Sequence, residues 1–271
     1  MVKFTLFLNF EDIVSQSVCP MNWLKNVGIF LFTSLFLVAC ADDDGFTDFT
    51  KSENFKILGS SAEDLLTDSK FKKLSVEIVY EEGFLPSTQV ISDFTTFLED
   101  RLYKSEINIT KKLIPSTEGS NYSLDRIIEI EQKHRTAFTN QEEIRVFIYF
   151  SDARHIDDST EQKTLGTAYL NTSIVLFGKT INEVSDSLVA VTAQTITSAT
   201  LQHEFSHLLG LVNTSSSHNE NVTLSKVPEH CANTKCLMAA HMDFTQYDGT
   251  KNTVLQLDNE CLERLRVMGG K

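Results

Sequence analysis

The sequence predicts an α+β domain in which most of the sheet lies in the N-terminal half of the folded chain. Strand-like segments are concentrated between residues 74 and 177, and the longest helical pattern and a terminal helical pattern follow them. The composition is 41% hydrophobic and 23% charged over 271 residues, which is typical of a globular protein. It excludes disordered, collagen-like and coiled-coil chains.

Four segments have the patterns of β-strands. Residues 74–80 alternate apolar and polar side chains with a period of two, as a half-buried strand does. Residues 107–114 form a second predicted strand. Residues 144–150 are rich in β-branched and aromatic side chains, which favours a central, buried strand. Residues 165–177 are a further strand region, and Gly166 near its start permits close approach of another backbone.

Helical patterns lie between and after these strands. Residues 86–104 carry apolar side chains at i, i+3 and i+4, which places them on one helix face. Ser123 is a suitable N-cap for a helix over residues 123–135. We predict a long helix over residues 185–210 and a final helix over 254–268. About forty residues of irregular chain separate them, and a connection of that length usually builds a site.

The first forty residues are expected to direct export rather than to fold. Residues 26–39 form an uncharged apolar run of about 14 residues, which fits a secretory signal peptide and is too short for a bilayer span of roughly 20 residues. A core helix or a retained membrane anchor is the alternative. Met21 would begin a signal peptide of ordinary length, so it is the expected translation start.

The apolar run ends in Leu37-Val38-Ala39-Cys40, which resembles the lipobox of bacterial lipoproteins. This resemblance implies cleavage after residue 39 and a lipid on the Cys40 sulfur. Residues 42–44 are aspartates and resemble the export tag that sends some lipoproteins of Gram-negative bacteria to the cell surface. A solvated tether is the alternative. We expect an extracytoplasmic protein that is anchored to the outer membrane at the cell surface and contacts the membrane through its lipid only.

The expected domain organisation is a signal peptide over residues 1–39, a lipidated and polar tether over 40–72, and one folded domain over 73–271. The 24 Lys and Arg residues against 37 Asp and Glu residues give a net charge of −13. Such an acidic surface repels phosphate backbones and argues against a nucleic-acid partner. We expect a monomer.

The predicted long helix contains His203-Glu204-Phe205-Ser206-His207. Residues four apart share one helix face, so the two imidazoles are placed to bind one Zn²⁺ at ~2.0–2.1 Å. Zinc lowers the pKa of a bound water to roughly 7, and Glu204 is placed to take its proton. The pattern arises by chance in about 1% of chains of this length. A surface helix with two histidines is the alternative, but the apolar face of this segment indicates burial, and buried histidines need partners.

Residues 203–213 resemble the motif of metzincin zinc endopeptidases, in which a glycine, here Gly210, precedes a third zinc ligand by three residues. That position is Asn213, and a carboxamide is a poor zinc ligand. Residues 230–238 resemble the archaemetzincin branch, in which a third His precedes Cys-x4-Cys-x-Met. The resemblance implies that His230 is the third ligand and that Met238 lies in a Met-turn beneath the zinc.

Other third ligands remain open. His218 lies in the loop that is inserted after Gly210 and is the next candidate. His241 and Asn213 are weaker ones.

The cysteines allow two arrangements. With Cys40 lipidated, the thiols of the mature chain are Cys231, Cys236 and Cys261. We expect a Cys231–Cys236 disulfide outside the cytoplasm, with Cys261 as a small buried side chain. Archaemetzincins hold a second, structural zinc with four cysteines, but Asp258 stands where one of them is expected. A zinc held by the three thiols and Asp258 is the weaker alternative, so one catalytic Zn²⁺ is the expected metal content.

The metzincin resemblance implies one further functional segment. In metzincins the strand before the active-site helix forms the upper rim of the cleft and pairs with extended substrate. Gly166, Thr167, Ala168 and Tyr169 would fill that role, and an ordinary edge strand is the alternative.

Together these patterns predict a metzincin-like zincin fold with a mixed twisted sheet, a long active-site helix, a Met-turn and a C-terminal helix. The predicted function is that of a zinc metallopeptidase that hydrolyses protein or peptide substrates with Glu204 as general base. The alternative is a surface lipoprotein that contains zinc and binds a protein partner without cutting it. A gluzincin-type peptidase, with a Glu as third ligand, is disfavoured by Gly210 and by the Cys-x4-Cys-x-Met run.

Overall fold

The structure is a computed structural model that describes residues 53–117, 119–188, 191–212, 230–242, 244 and 254–271. Its helices are α1 (Ala62–Leu66), α2 (Thr88–Glu99), α3 (Leu124–His134), α4 (Gly178–Asp186), α5 (Ala193–Leu208) and α6 (Asn259–Val267). Its strands are β1 (Lys73–Glu81), β2 (Glu106–Ile114), β3 (Asn121–Tyr122), β4 (Glu143–Ser151), β5 (Arg154–His155), β6 (Gly166–Leu170) and β7 (Ser173–Phe177).

Five strands form one mostly parallel sheet in the order β2-β1-β4-β7-β6. The first four of these run parallel to one another, and β6 is antiparallel to β7 at the edge. β3 and β5 form a separate two-stranded pair. The strands predicted over residues 74–80, 107–114 and 144–150 are confirmed. The strand region predicted over 165–177 is two strands, because the chain reverses at Asn171 and Thr172.

Helices cover both faces of this sheet. α2 and α5 pack on one face, where the rings of Phe94 and Phe205 meet edge to face with centroids 5.2 Å apart. α3 packs on the other face, where Ile127 and Ile130 join a smaller apolar cluster with Phe147 of β4. The parallel strands are therefore buried on both faces, as parallel strands usually are. The sheet is mixed, as predicted, but four of its five strands are parallel. With helices on both faces, the arrangement is α/β rather than the predicted α+β.

The helices predicted over residues 86–104 and 123–135 are confirmed as α2 and α3. Each begins at a serine whose side chain accepts a hydrogen bond from the helix backbone. Ser87 accepts from Val90 N at 3.3 Å, and Ser123 accepts from Arg126 N at 3.3 Å. These N-caps satisfy one of the backbone N–H groups that a helix start leaves without a partner.

The long helix predicted over residues 185–210 begins only at Ala193. Residues up to Asp186 belong to α4 instead, so the first part of that prediction is wrong. The reason is a local cap: Thr192 is extended and its side chain accepts a hydrogen bond from Thr195 N at 3.2 Å. At its other end α5 stops at Leu208, where the φ of 91° at Gly210 and the neighbouring backbone hydrogen bonds form a Schellman cap.

The terminal helix predicted over residues 254–268 begins at Asn259. Asp258 is its N-cap and accepts a hydrogen bond from Cys261 N at 3.0 Å, so the residues before it are not helical. The far end of α6 packs on the end of α5: a Cβ placed on Gly210 would lie 2.8 Å from the Met268 sulfur. α6 therefore supports the helix that carries the two histidines.

The folded domain starts before residue 73, which corrects the boundary that the sequence predicts. Asn54 is fully buried, and its amide donates hydrogen bonds to the side chains of Thr139 and Thr172, both at 3.0 Å. Leu65 and Leu66 of α1 lie in the main core. α1 has only five residues, too few to give a periodic pattern that the sequence could reveal.

Residues 1–52, which hold the predicted signal peptide, Met21 and Cys40, lie outside the described residues. Among the helices that the structure describes, none combines the length and the apolar character that a membrane span needs. Export and lipidation therefore stay predictions.

Candidate metal centre

The second half of α5 is buried on all sides, so its polar side chains are removed from water. Its residues pack between the sheet, α2 and α4. His203, Glu204 and His207 have exposed fractions of 0%, 2% and 1%. Ionisable side chains at such positions need polar partners, because their transfer from water into an apolar environment costs several kcal/mol. The sequence places three of them within two turns of one helix.

Three histidines meet at this point of the fold. His203 and His207 come from α5, and His230 comes from the segment that follows the undescribed residues 213–229. One ring nitrogen from each lies within 4.8 Å of those of the other two. The Nε2 atoms of His203 and His207 are 3.2 Å apart. The structure therefore brings the three histidines together in an arrangement able to hold one metal ion.

Backbone carbonyls orient two of these rings. The Nδ1 atom of His203 lies 2.7 Å from the Leu237 carbonyl oxygen, and that of His207 lies 2.7 Å from the Leu211 carbonyl oxygen. A carbonyl accepts, so each Nδ1 carries the proton and each Nε2 presents a lone pair. Hydrogen bonds of this kind from the second ring nitrogen are usual for metal-binding histidines.

The three imidazoles are neutral in this environment. Burial, followed by the proximity of the other histidines, lowers the pKa of His207 to about 3 and that of His203 well below its usual value. Burial and the nearby His241 lower the pKa of His230 to about 4. The Nε2 atom of His230 is buried and has no hydrogen-bond partner among the described residues. Neutral imidazoles with converging lone pairs fit a zinc ion, for which imidazole nitrogen is a common ligand.

Glu204 has one engaged and one unengaged carboxylate oxygen. Its Oε2 accepts a hydrogen bond from the Ala168 N–H of β6 at 2.7 Å. Its Oε1 is buried and has no hydrogen-bond partner among the described residues. Burial raises the pKa of Glu204 to about 8, against the opposing effect of the Ala168 N–H. The raised pKa favours the protonated carboxyl group, whereas a cation bound nearby would favour the carboxylate. Glu204 is therefore able to hold or to release a proton near neutral pH.

A loop over residues 230–239 completes the centre. Cys231 N donates to the Met238 carbonyl at 2.7 Å, and this bond closes the loop. The closed loop supplies both His230 and the Leu237 carbonyl that orients His203. Met238, the predicted Met-turn residue, is 1% exposed and belongs to the main core.

Of the other candidate third ligands, the structure describes His241 alone. Asn213 and His218 lie outside the described residues. His241 is exposed, and it is not part of the group of converging histidines.

A second group of metal-binding side chains lies beside the loop, and it contradicts the expected Cys231–Cys236 disulfide. The thiols of Cys231, Cys236 and Cys261 are not bonded to one another, and together with Asp258 they place one ligand atom each within 4.8 Å of the others. The sulfur atoms of Cys236 and Cys261 are 3.7 Å apart, and the Cys231 sulfur lies 3.1 Å from Asp258 Oδ2. A disulfide needs ~2.05 Å between sulfur atoms.

The pKa values of these four side chains favour the ionised forms of two of them, a thiol and a carboxyl group. The hydrogen bond between the Cys236 and Cys261 sulfur atoms lowers the pKa of Cys236 to about 6. The hydrogen bond from Cys261 N, followed by that from the Cys231 thiol, lowers the pKa of Asp258 to about 2. Burial and the neighbouring Asp258 raise the pKa of Cys231 to about 11. A thiolate and a carboxylate therefore already lie together at neutral pH, which is the form that ligates metals.

The predicted rim strand lies next to Glu204, but its side chains are engaged elsewhere. Tyr169 is 1% exposed, and its hydroxyl donates to the buried Glu131 at 2.7 Å on the far face of the sheet. The Thr167 hydroxyl donates to the Gly166 carbonyl at 2.8 Å. The Tyr169 side chain is thus a core group. The contribution of the strand to the centre is the Ala168 N–H, a backbone group that no side-chain pattern identifies.

Comparisons with known proteins give structural neighbours only. No protein-family model matches the sequence, and no curated protein is similar to it at a significant level. The structure is similar to archaemetzincin from Methanopyrus kandleri, with 13% identity, coverage of 74% of this chain and 97% of that chain, and a TM-score of 0.49. It is also similar to a zinc-dependent peptidase from Methanocorpusculum labreanum, with 14% identity, coverage of 70% and 99%, and a TM-score of 0.45.

A third neighbour is metalloproteinase-II from Bacteroides fragilis, with 15% identity, coverage of 81% of this chain and a TM-score of 0.39. This chain covers only 57% of that protein. The second and third neighbours are named as a zinc-dependent peptidase and a metalloproteinase. At these identities and TM-scores the similarity does not establish a function, which rests on the geometry of the site.

Removing the His230 imidazole is expected to weaken zinc binding at the three-histidine cluster by at least about 100-fold, because it deletes one of the three imidazole donors there. His241→Ala is the matched control and should leave zinc affinity unchanged. Competition with a zinc-sensitive chelating dye measures both variants. Loss of affinity in His241→Ala but not in His230→Ala would assign the third ligand differently.

Proposed function

We propose that this protein is a zinc endopeptidase. The observation that carries the proposal is the convergence of three neutral imidazoles beside a buried carboxylate that has one unengaged oxygen. This combination supplies a metal site, and it places a proton acceptor on the same helix as two of the three imidazoles. A pure binding site gains nothing from a buried Glu204, whose desolvation opposes folding of the domain.

In this proposal His203, His207 and His230 hold the ion through Nε2. A bound zinc ion polarises a peptide carbonyl and makes a water molecule acidic near neutral pH. The Leu211 and Leu237 carbonyls keep two of the imidazoles in the metal-binding tautomer. The Ala168 N–H holds Oε2 of Glu204 in place.

Glu204 moves the protons of the reaction. Its unengaged Oε1 accepts a proton from the attacking water, and the same carboxyl then returns it to the amine of the leaving peptide. The exclusion of bulk water around α5 strengthens the electrostatic interactions of the carboxylate. The substrate class that fits is a peptide or unfolded protein segment that lies extended along the outer edge of β6.

We further propose that the enzyme works outside the cytoplasm as a lipoprotein. The support is the lipobox-like Leu37-Val38-Ala39-Cys40 after an apolar run, followed by an acidic segment. In this arrangement Cys40 carries the lipid, and the residues from 41 to the start of the fold near Glu53 are the tether. A tethered peptidase acts on proteins at or near the membrane surface.

A second proposal concerns the Cys231, Cys236, Cys261 and Asp258 group, which we assign to a structural zinc ion. Three sulfur donors and one oxygen donor satisfy the four-coordinate preference of structural zinc. Two of these donors belong to the loop that supplies His230. An ion here would therefore fix that loop and, through it, the position of the third histidine.

Glu204→Gln tests the enzymatic proposal. The variant should keep the zinc content of the wild-type protein and lose at least about 100-fold in kcat/KM on unfolded casein, because the amide cannot accept the proton. Glu142→Gln, an exposed glutamate before β4, is the matched control and should retain full activity. Zinc-loaded wild type that cleaves neither casein nor a peptide library would favour the alternative, a zinc protein that binds without cutting.

Cys261→Ala tests the structural zinc. The wild-type protein should contain two zinc ions per chain by elemental analysis, and the variant should contain one and melt at a lower temperature, because a ligand is lost. Leu265→Ala removes a neighbouring buried side chain of α6 without removing a donor, and it should retain both ions. A wild-type mass that indicates a Cys231–Cys236 disulfide would contradict this assignment.

A further inference from the structure

The proton acceptor of the proposed reaction is held by a backbone group, and this arrangement depends on one glycine. Among the strands that the structure describes, β6 pairs with β7 alone. In an antiparallel pair successive residues alternate between facing the partner strand and facing away. Leu165 faces β7, since its carbonyl accepts from Phe177 N at 2.9 Å. Gly166 and Ala168 lie one and three residues beyond Leu165, so this alternation turns the backbone groups of both away from β7. The Ala168 N–H accordingly donates to Glu204 Oε2.

The distance between β6 and α5 is set at Gly166. A Cβ built on this residue would lie 2.8 Å from Thr200 Cγ2 and 3.1 Å from Glu204 Cγ. Contacts below 3.0 Å are not tolerated without movement of one of the partners. The carbonyl of Val175 on the other side, also 3.1 Å away, limits how far the strand can move within the sheet. Only glycine therefore allows the helix to approach the strand this closely.

We propose that Gly166 and the Ala168 N–H are positioning elements for Glu204. The close approach at Gly166 brings the Ala168 N–H to 2.7 Å from Oε2. Because Oε2 is engaged, the carboxylate has a fixed orientation, and Oε1 is the oxygen that exchanges the proton. This inference rests on the proposed peptidase function and adds that β6 orients the catalytic carboxylate as well as lining the substrate edge.

The hydrogen bond from the Ala168 N–H to Glu204 distinguishes a role in positioning the carboxylate from a role in binding substrate along the edge of β6. An N–H that donates to Glu204 is not available to a substrate backbone. A change at Gly166 should therefore alter the turnover of bound substrate and leave substrate binding nearly unchanged. A change that acts only through the rim would raise KM instead.

Gly166→Ala is the test on activity. We expect kcat on unfolded casein or a derived peptide to fall between about 10-fold and 100-fold, because a small displacement of a catalytic group slows turnover by factors of this size. KM should change less than about twofold, and zinc content should be unchanged. In a Glu204→Gln background the same change should have little further effect. Thr200→Ser, which removes the methyl group at 2.8 Å, should restore part of the lost kcat of Gly166→Ala.

Gly178→Ala is the matched packing control. A Cβ there would lie 2.3 Å from Phe84 Cδ1, so the substitution also crowds a buried site, but among the three nearest atoms none belongs to Glu204. It should lower the melting temperature and leave kcat of the folded protein unchanged. A rise of KM without loss of kcat in Gly166→Ala, or full additivity with Glu204→Gln, would overturn the proposal.

Amide hydrogen exchange tests the arrangement independently of catalysis. In zinc-loaded, ¹⁵N-labelled protein the Ala168 amide should exchange slowly, and it should exchange at least about tenfold faster in Gly166→Ala, since a weakened hydrogen bond lowers the cost of local opening. The Phe177 amide, which donates to Leu165 within the sheet, should be unaffected. An Ala168 amide that exchanges in the wild-type protein as fast as an exposed one would refute the positioning role, whether or not the protein cleaves casein.

Discussion

Three neutral imidazoles in one buried space are the constraint on which the rest of this structure depends. His203 and His207 each use Nδ1 to donate to a carbonyl, which leaves two Nε2 lone pairs 3.2 Å apart with no proton between them. Two acceptors at that distance repel each other. The proposed zinc ion would convert this repulsion into coordination, and folding around α5 would then be thermodynamically coupled to metal binding. His230 and the loop that carries it are part of the same equilibrium.

The two clusters of metal-binding side chains share this loop. Residues 230–239 contribute an imidazole and an orienting carbonyl to one cluster, and the thiols of Cys231 and Cys236 to the other. α6 contributes Cys261 and its N-cap Asp258, and its far end packs on Gly210 at the end of α5. The C-terminal helix thus supports the site at two points. If both clusters bind an ion as proposed, binding at either one would stabilise the loop conformation that the other cluster requires.

The sequence predicts the parts of this centre that depend on side-chain spacing. His203, Glu204 and His207 follow from helix periodicity, and the positive φ of Gly210 follows from its place at the end of the helix. The expectation of a disulfide was wrong, because spacing along the chain does not reveal that Cys261 and Asp258 lie beside the same thiols. The carbonyls of Leu211 and Leu237 and the N–H of Ala168 were not predictable, since backbone groups carry no sequence signal.

Some helices and strands of the fold were predictable from the sequence, and others were not. Strands with strong period-two or β-branched patterns and helices with serine caps were predicted within a few residues. The break before α5 was missed, because the apolar pattern continues across the Thr192 cap. α1 and Asn54 were assigned to a tether, because their burial comes from contacts with distant residues such as Thr139 and Thr172.

The most direct test of this account is a crystal structure of the purified protein with anomalous diffraction data collected on both sides of the zinc absorption edge. The account predicts a zinc peak about 2.0–2.1 Å from the Nε2 atoms of His203, His207 and His230 together. A peak at this position confirms the three-histidine centre and the role of His230. A zinc-loaded crystal in which His230 points away, or in which no zinc peak lies beside α5, would contradict it.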